Sequence, residues 1–269
     1  DMVILYSKGK PMSEEKEVSK PQFRIHNPKD GSWTKGRKIE ILSSFSEEER
    51  PGCATSYVEL IDYLGTELTV VNAARVSFGK EKYEFDKNDA RLVAFLARNH
   101  HWTPFSQIQL QFRIHMPIFV ARQYFKHQIG LTRNEISRRY VTSTPSIWLP
   151  KEYRQSAENV KQGSSNLIHP DNTLLIDMAY QAAKDQIMHY EALIQAGVCA
   201  EQARTVLPMS VMTEFIETGS LAAYMRICEL REEKTAQKEI QEFAIAIGMH
   251  CKALFPHVWE ALKKEIPAT

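Results

Sequence analysis

Between Arg122 and Tyr140 the chain reads RQYFKHQIGLTRNEISRRY, which gathers Arg122, Lys126, Arg133, Arg138 and Arg139 beside His127, with Glu135 as the one acidic residue. A local excess of cations of this kind suits an anionic ligand, since arginine presents a forked donor set that matches phosphate oxygens and lysine a point charge. Tyr124, Phe125 and Tyr140 interleave with the charges, and the loop GLTRNEIS supplies donors and acceptors suited to a base or a sugar. The competing account is a solvated basic face, with Thr132 and Glu135 forming a capping box at a helix start. The spacing predicts a helix opening at Pro117 and running through Gln128, PIFVARQYFKHQ. On that helix Arg122 and Lys126 share one face and repel unless an anion lies between them.

Two further cations stand far along the chain, Arg204 in EQARTVLP and Arg231 in ICELREEKTAQ. Both lie in otherwise apolar helical stretches, where a charge is costly unless it is paired or faces a cleft. Glu201, Glu229, Glu232 and Glu233 are close enough in sequence to satisfy them as structural ion pairs. His100 and His101, just before WTPF, read as helix-end residues favoured by the dipole. Cys53, Cys199, Cys228 and Cys251 form no CxxC pair and no His-bearing ligand spacing, so buried thiols in a reducing compartment are expected, with neither a disulfide framework nor a metal site.

The elements that position these residues follow from periodicity. Residues 1–54 mix Lys, Glu, Ser and Pro and read as an irregular N-terminal extension, followed by one domain over 55–269. YVELIDYLG from Tyr57 predicts a first strand, and DARLVAFLARNHHW a helix with Leu92, Phe95 and Leu96 on one face. In IQLQFRIHMP, residues Ile108, Leu110, Phe112, Ile114 and Met116 alternate with polar ones, the signature of a half-buried strand. Beyond the polar loop NVKQGSSNLIHPDN, helices are expected over 173–196, 200–206, 211–230 and 235–254. The expectation is an α/β (α+β) fold, a mixed sheet with helices followed by a helical C-terminal half. No GxGxxG supports a Rossmann site. With 34 basic against 33 acidic side chains, the net charge of +1 sets up no field toward nucleic acid or an anionic membrane. No apolar run spans a bilayer and no signal core opens the chain, so a cytoplasmic protein is expected.

The run VELIDYLG, AARVSF, LVAFLARNHHWTPF, PIFVARQYFKHQ and NEISRRY, followed by ARTVLP and ELR, resembles the flavin-dependent thymidylate synthases from about Tyr57 to Pro256. The family's signature is an Arg-His-Arg triplet followed after seven residues by Ser. Here the triplet reads Lys126-His127-Gln128 and eight residues precede Ser137. The resemblance implies FAD as cofactor, methylenetetrahydrofolate as carbon donor, NADPH as the source of reducing equivalents, and transfer to C5 of dUMP. It implies a homotetramer whose sites form where subunits meet. By resemblance Arg122, Gln123, Glu135, Ser137, Arg138, Arg139, Arg204 and Arg231 surround dUMP, with Arg139 and Arg204 on the phosphate and Arg231 on the uracil edge as the catalytic residue. Ser77, His101, Thr103, Lys126, His127, Gln128, Arg133, Asn134, Glu135, Ser220 and Arg226 approach the flavin. Arg133, inside the one-residue insertion, is expected to replace the charge lost at Gln128. Ser220, Arg226 and Thr235 stand where the family often has Asn or His.

None of the four cysteines has the Pro-Cys-His setting of a conventional thymidylate synthase nucleophile, so the chemistry expected is orientation and polarisation around a flavin. Three alternatives differ in class. They are a related enzyme that makes 5-hydroxymethyl-dUMP, a flavin-free nucleotide-binding protein that kept the dUMP pocket, and an RNA-binding module built on the basic loop, which the near-zero net charge disfavours.

Overall fold

The structure, a computed structural model, describes residues 15–26, 35–157 and 164–264. The elements are β1 (Phe23–His26), β2 (Lys38–Ile41), β3 (Ser56–Leu64), α1 (Glu67–Arg75), α2 (Lys87–Arg98), β4 (Gln109–Pro117), α3 (Ile118–Tyr124) and β5 (Leu131–Glu135). They continue as α4 (Asn172–Gln195), α5 (Ala200–Ala203), β6 (Met212–Ser220), α6 (Leu221–Arg231), α7 (Lys238–Leu254) and α8 (Pro256–Lys264). The six strands form one sheet in the order β1-β2-β3-β4-β6-β5, and every pairing is antiparallel. The α+β class therefore stands, while the expected mixed sheet is corrected to a wholly antiparallel one.

Strand β4 is the sheet's spine. Leu110, Phe112, Ile114 and Met116 are all buried, while the alternate residues are half-buried, as the period of two demands. Each such side chain contributes about 1.5–3 kcal/mol of burial. Helices α6 and α7 cover this face, and Tyr224 of α6 meets the Phe112 ring edge-on at 5.0 Å. A smaller core of Cys53, Ile147, Leu149, Ile176 and Val211 lies under α4.

Three expectations are corrected by tertiary pairing. Residues 23–26 and 38–41, inside the stretch read as irregular, are strands β1 and β2, which extend the sheet from β3; residues 1–14 and 27–34 of that stretch lie outside the described residues. The expected helix over 211–230 is β6 for its first half and α6 for its second. The helix from Pro117 ends at Tyr124, with Pro117 as its N-cap, so Arg122 and Lys126 do not share a helical face. A helix α8 that the periodicity did not show closes the described chain.

Candidate active site

Phe125 ends α3 because its ring packs edge-on to Phe215 of β6 at 4.9 Å, and the chain then turns through Gly130 at φ 76°. A side chain at 130 would press on Ala223 Cβ and Ser220 Oγ, at 3.2 and 3.3 Å, so glycine suits both the dihedral and the space. The chain re-enters the sheet as β5, an edge strand whose only neighbour is β6. Thr132 and Glu135 are thus strand residues, and the capping box is corrected.

Alternation along β5 sorts its charges. Leu131, Arg133 and Glu135 share the sheet face of Gly219, Glu217 and Phe215 on β6, and the Glu135 carboxylate accepts from Thr213 Oγ1 at 2.6 Å. Arg133 Nε donates to the carboxylate of Glu217, which is fully buried on β6. The guanidinium also lies 5.3 and 5.2 Å from the ring centroids of Tyr124 and Phe125. This corrects the expectation that Arg133 supplies a flavin-facing charge in place of Gln128: its position on the inward face of β5 commits it to a core carboxylate. Thr132 and Asn134, on the other face, are exposed, as are Lys126 and Gln128 in the preceding turn.

His127 and Arg231 are brought together. Arg231, in the last turn of α6, donates from Nε to Nε2 of His127 at 2.9 Å. Burial pushes the imidazole down to about 4, assisted by the guanidinium groups of Arg231, Arg133 and Arg226. The ring is therefore neutral near pH 7, with its proton on Nδ1 and Nε2 free to accept. Arg204 follows α5 in an exposed 3-10 turn and reaches only the Glu201 carbonyl, at 3.4 Å. Arg139 is exposed, 5.1 Å from the Tyr140 ring centroid and 3.4 Å from Ser137 Oγ. Arg138 donates to the Ser143 carbonyl at 2.5 Å. Among the described residues, neither Arg204 nor Arg231 pairs with a carboxylate, so the alternative of structural ion pairs is corrected; Arg122, Lys126, Arg139 and Arg226 are likewise free of one. Glu232, one of the four expected partners, instead meets Lys263 at 2.5 Å.

The second part of the site lies at the C-terminal end of α2. There the backbone turns through His100 at φ 56°, its N–H bonding back to the Ala97 carbonyl, and presents His101, Trp102 and Thr103 as exposed residues. His101, Trp102 and Phe105 form one wall of a cavity of about 300 Å³, and Met225, Arg226 and Leu262 another. Ser220 caps α6 by accepting from the Ala223 N–H at 3.2 Å, so its hydroxyl already has a structural task. Ser77 sits in an exposed turn after α1 between Val76 and Phe78, which are 70% and 78% exposed. A larger cavity, about 450 Å³, lies between Glu17–Gln22, Trp148–Arg154 and the start of α7, and contains none of the expected site residues. Neither cavity is lined by Arg139, Arg204 or Arg231.

A family model described as thymidylate synthase complementing protein matches residues 59–257, the span that holds every element carrying these side chains. The chain belongs to the flavin-dependent thymidylate synthase family. Flavin-dependent thymidylate synthases of Thermosipho melanesiensis and Thermus thermophilus are 36% and 34% identical to it over 214 and 210 residues. Those matches cover 77% and 78% of this chain, and 90% and 76% of the relatives. Among solved structures, a UMP/dUMP methylase PolB from Streptomyces cacaoi, bound with 5-Br dUMP, is similar at a TM-score of 0.70 and 27% identity, over 78% of this chain and 95% of that one.

The donor set fits the flavin that the family name implies. The 300 Å³ cavity is lined by apolar and aromatic side chains, which suit a planar ring system, together with His101, Arg226 and the carboxylate Glu229. Apart from the flavin, Gln123 Oε1 and Arg138 Nε are buried without a partner among the described residues, and both belong to residues expected around dUMP. Trp102, Phe105, Met225 and Glu217 went unremarked in the sequence. WTPF following two histidines was a signal for the first two, whereas Glu217 lay in a stretch read as helix. No helix among the described residues is long and apolar enough to cross a membrane, and among them no group of three or more His, Cys, Asp or Glu side chains could hold a metal ion.

Proposed function

We infer that this protein is a flavin-dependent thymidylate synthase that methylates dUMP at C5 to give dTMP. The observation that carries the reading is a set of guanidinium groups without carboxylate partners among the described residues, Arg139, Arg204 and Arg231, in a chain of this family. Unpaired arginines with forked donors suit a nucleotide monophosphate. Arg139 and Arg204 hold the phosphate, with Ser137, Gln123, Arg122 and Arg138 around the sugar and base. Arg231 faces the uracil edge, and the His127 contact fixes its orientation: one guanidinium edge is occupied by imidazole and the other is free for the ring. A fixed cation there favours the N3-ionised, more nucleophilic uracil. Neutral His127 keeps this geometry without adding a competing charge. Glu135 is held by Thr213 at the edge of the same segment.

FAD is held by His101, Thr103 and Arg226 beside the aromatic wall, with Lys126, His127, Gln128, Asn134 and Ser77 contributing. When bound and reduced, it supplies the hydride that completes the methyl group. Methylenetetrahydrofolate is the carbon donor, NADPH the reductant and the cytoplasm the compartment in this reading. The working form is a homotetramer. Val76, Phe78, Trp102 and Tyr140 are exposed on the segments that carry site residues, which suits burial against other copies, and the three arginines then converge from different protomers. The reading is tested with dUMP carrying tritium at C5. The intact protein with FAD, methylenetetrahydrofolate and NADPH should release tritium to water, and each single omission should stop the release. Retention of tritium in the complete mixture would refute the assignment.

A further inference from the structure

Strand β5 has five residues and, among the described residues, a single neighbour, so backbone pairing alone fixes its register weakly. Three side-chain contacts to one face of β6 add to it. Leu131 lies over Gly219, where a Cβ would fall 2.4 Å from Leu131 Cδ2, so only glycine leaves the slot open. Arg133 meets Glu217, and Glu135 meets Thr213. Of these, the Arg133–Glu217 contact discriminates most strongly between registers. Glu217 is fully buried, and its Oε1 accepts from Tyr124 OH of α3 at 2.7 Å. Its backbone carbonyl faces Tyr224 OH of α6 at 3.4 Å. A slip of β5 by one residue would bring Thr132 or Asn134 onto this carboxylate, turn the guanidinium to solvent, and leave a buried charge without its cation. The same slip would turn Asn134 inward. The segment needs such a device because it is one residue longer between His127 and Ser137 than the family signature.

We propose that Glu217 is a positioning residue: through Arg133 it selects the register of β5 and so aims Asn134 and the Ser137–Arg139 segment at the ligands, while through Tyr124 it ties that segment to the end of α3 that carries Arg122 and Gln123. The inference rests on the nucleotide reading given above. It assigns to this chain a core ion pair that serves its longer loop.

The test uses the full-length protein and three variants, Glu217→Gln, Arg133→Met and the double substitution. Three quantities are measured: dUMP affinity by calorimetry below the melting transition, melting temperature, and hydrogen exchange of amides 131–139 by mass spectrometry. Each single variant should bind dUMP about tenfold or more weakly and exchange these amides faster, because one buried partner has lost its counterpart. The double variant should recover to within about threefold, since no orphaned charge remains to drive the strand out of register. Lower melting temperatures with parental affinity and exchange in the single variants would overturn the proposal, as would a double variant that merely sums the two losses. If Glu217→Gln does not fold, Glu217→Asp and Arg133→Lys keep both charges but shift their contact, and each should weaken dUMP binding and speed exchange of amides 131–139 by less than the charge-removing substitution; parental affinity and exchange in both would overturn the proposal. A parent protein that does not bind dUMP sinks the functional reading, while the exchange pattern still decides the register claim.

Discussion

Arg133 and Arg139 lie six positions apart and look alike in sequence, yet the fold uses them in opposite ways. Arg133 is held between two aromatic rings and against a buried carboxylate, with its side chain 14% exposed. Arg139 stands exposed with a hydroxyl and a tyrosine ring beside it and no acid among the described residues. The same division runs through the described residues: Arg113 of β4 pairs with Glu59 and Glu214, whereas Arg204 and Arg231 meet no carboxylate among them. A cationic motif is therefore two populations, one spent on the core and one left for a ligand, and the face of a strand decides which. Cations left unpaired in a fold that supplies acids elsewhere are the better markers of an anion site.

This division can be broken at either side. Truncating the fixed population should have the largest effect, because Glu217→Ala orphans Arg133 in the core and should cost about 3–5 kcal/mol of stability in denaturant titration. Truncating the free population should leave stability within about 0.5 kcal/mol of the parent. Arg139→Ala and Arg204→Ala should instead lower kcat/KM for dUMP by about 10- to 150-fold each, the worth of a hydrogen bond to a charged group.

Glu242 of α7 sharpens the contrast from the acidic side, being buried with Ser43 Oγ at 2.7 Å as its hydrogen-bond donor and, among the described residues, no ion pair of its own, Arg154 being paired with Glu239. Burial raises its carboxyl to about 7. A carboxyl raised in the folded state favours its protonated form, so its contribution is full below the unfolded value near 4.5 and is lost as pH rises through about 7. Glu242→Gln should accordingly stabilise the protein at pH 8 by about 2 kcal/mol more than at pH 5, read from melting curves at the two pH values. The smallest effect concerns the aromatic wall. Trp102→Ala should weaken FAD by about 0.5–1.5 kcal/mol in fluorescence titration while leaving dUMP affinity unchanged, because its ring lines the cavity beside His101 and Arg226 and none of the arginines assigned to the nucleotide.

Much of this was legible in residue patterns. Strand β4 declared itself by strict alternation of Leu110, Phe112, Ile114 and Met116, and α2 and α4 by helical spacing, although the face α2 buries is Val93, Leu96 and Ala97, while Phe95 is exposed. Strand β6 did not, because its buried face carries Thr213, Phe215, Glu217 and Gly219 while Ile216 on the other face is 38% exposed. A polar buried face erases the hydrophobic period. Misreading β6 hid Glu217, and without Glu217 there was no reason to turn Arg133 inward. Strands β1 and β2 were missed for a related reason: with four residues each, they gain their structure by pairing in series onto β3. The cationic motif itself needed no fold to be seen, and His127 meeting Arg231 joins it to an expected site residue 104 positions away.

The most direct test of the central claim is the mass of the nucleotide formed when the purified protein is incubated with dUMP, methylenetetrahydrofolate, FAD and NADPH. The account predicts a product heavier than dUMP by one CH₂ unit, formed only with all four present and lost on Arg231→Ala. Unchanged dUMP, or a product heavier by CH₂O, would contradict it.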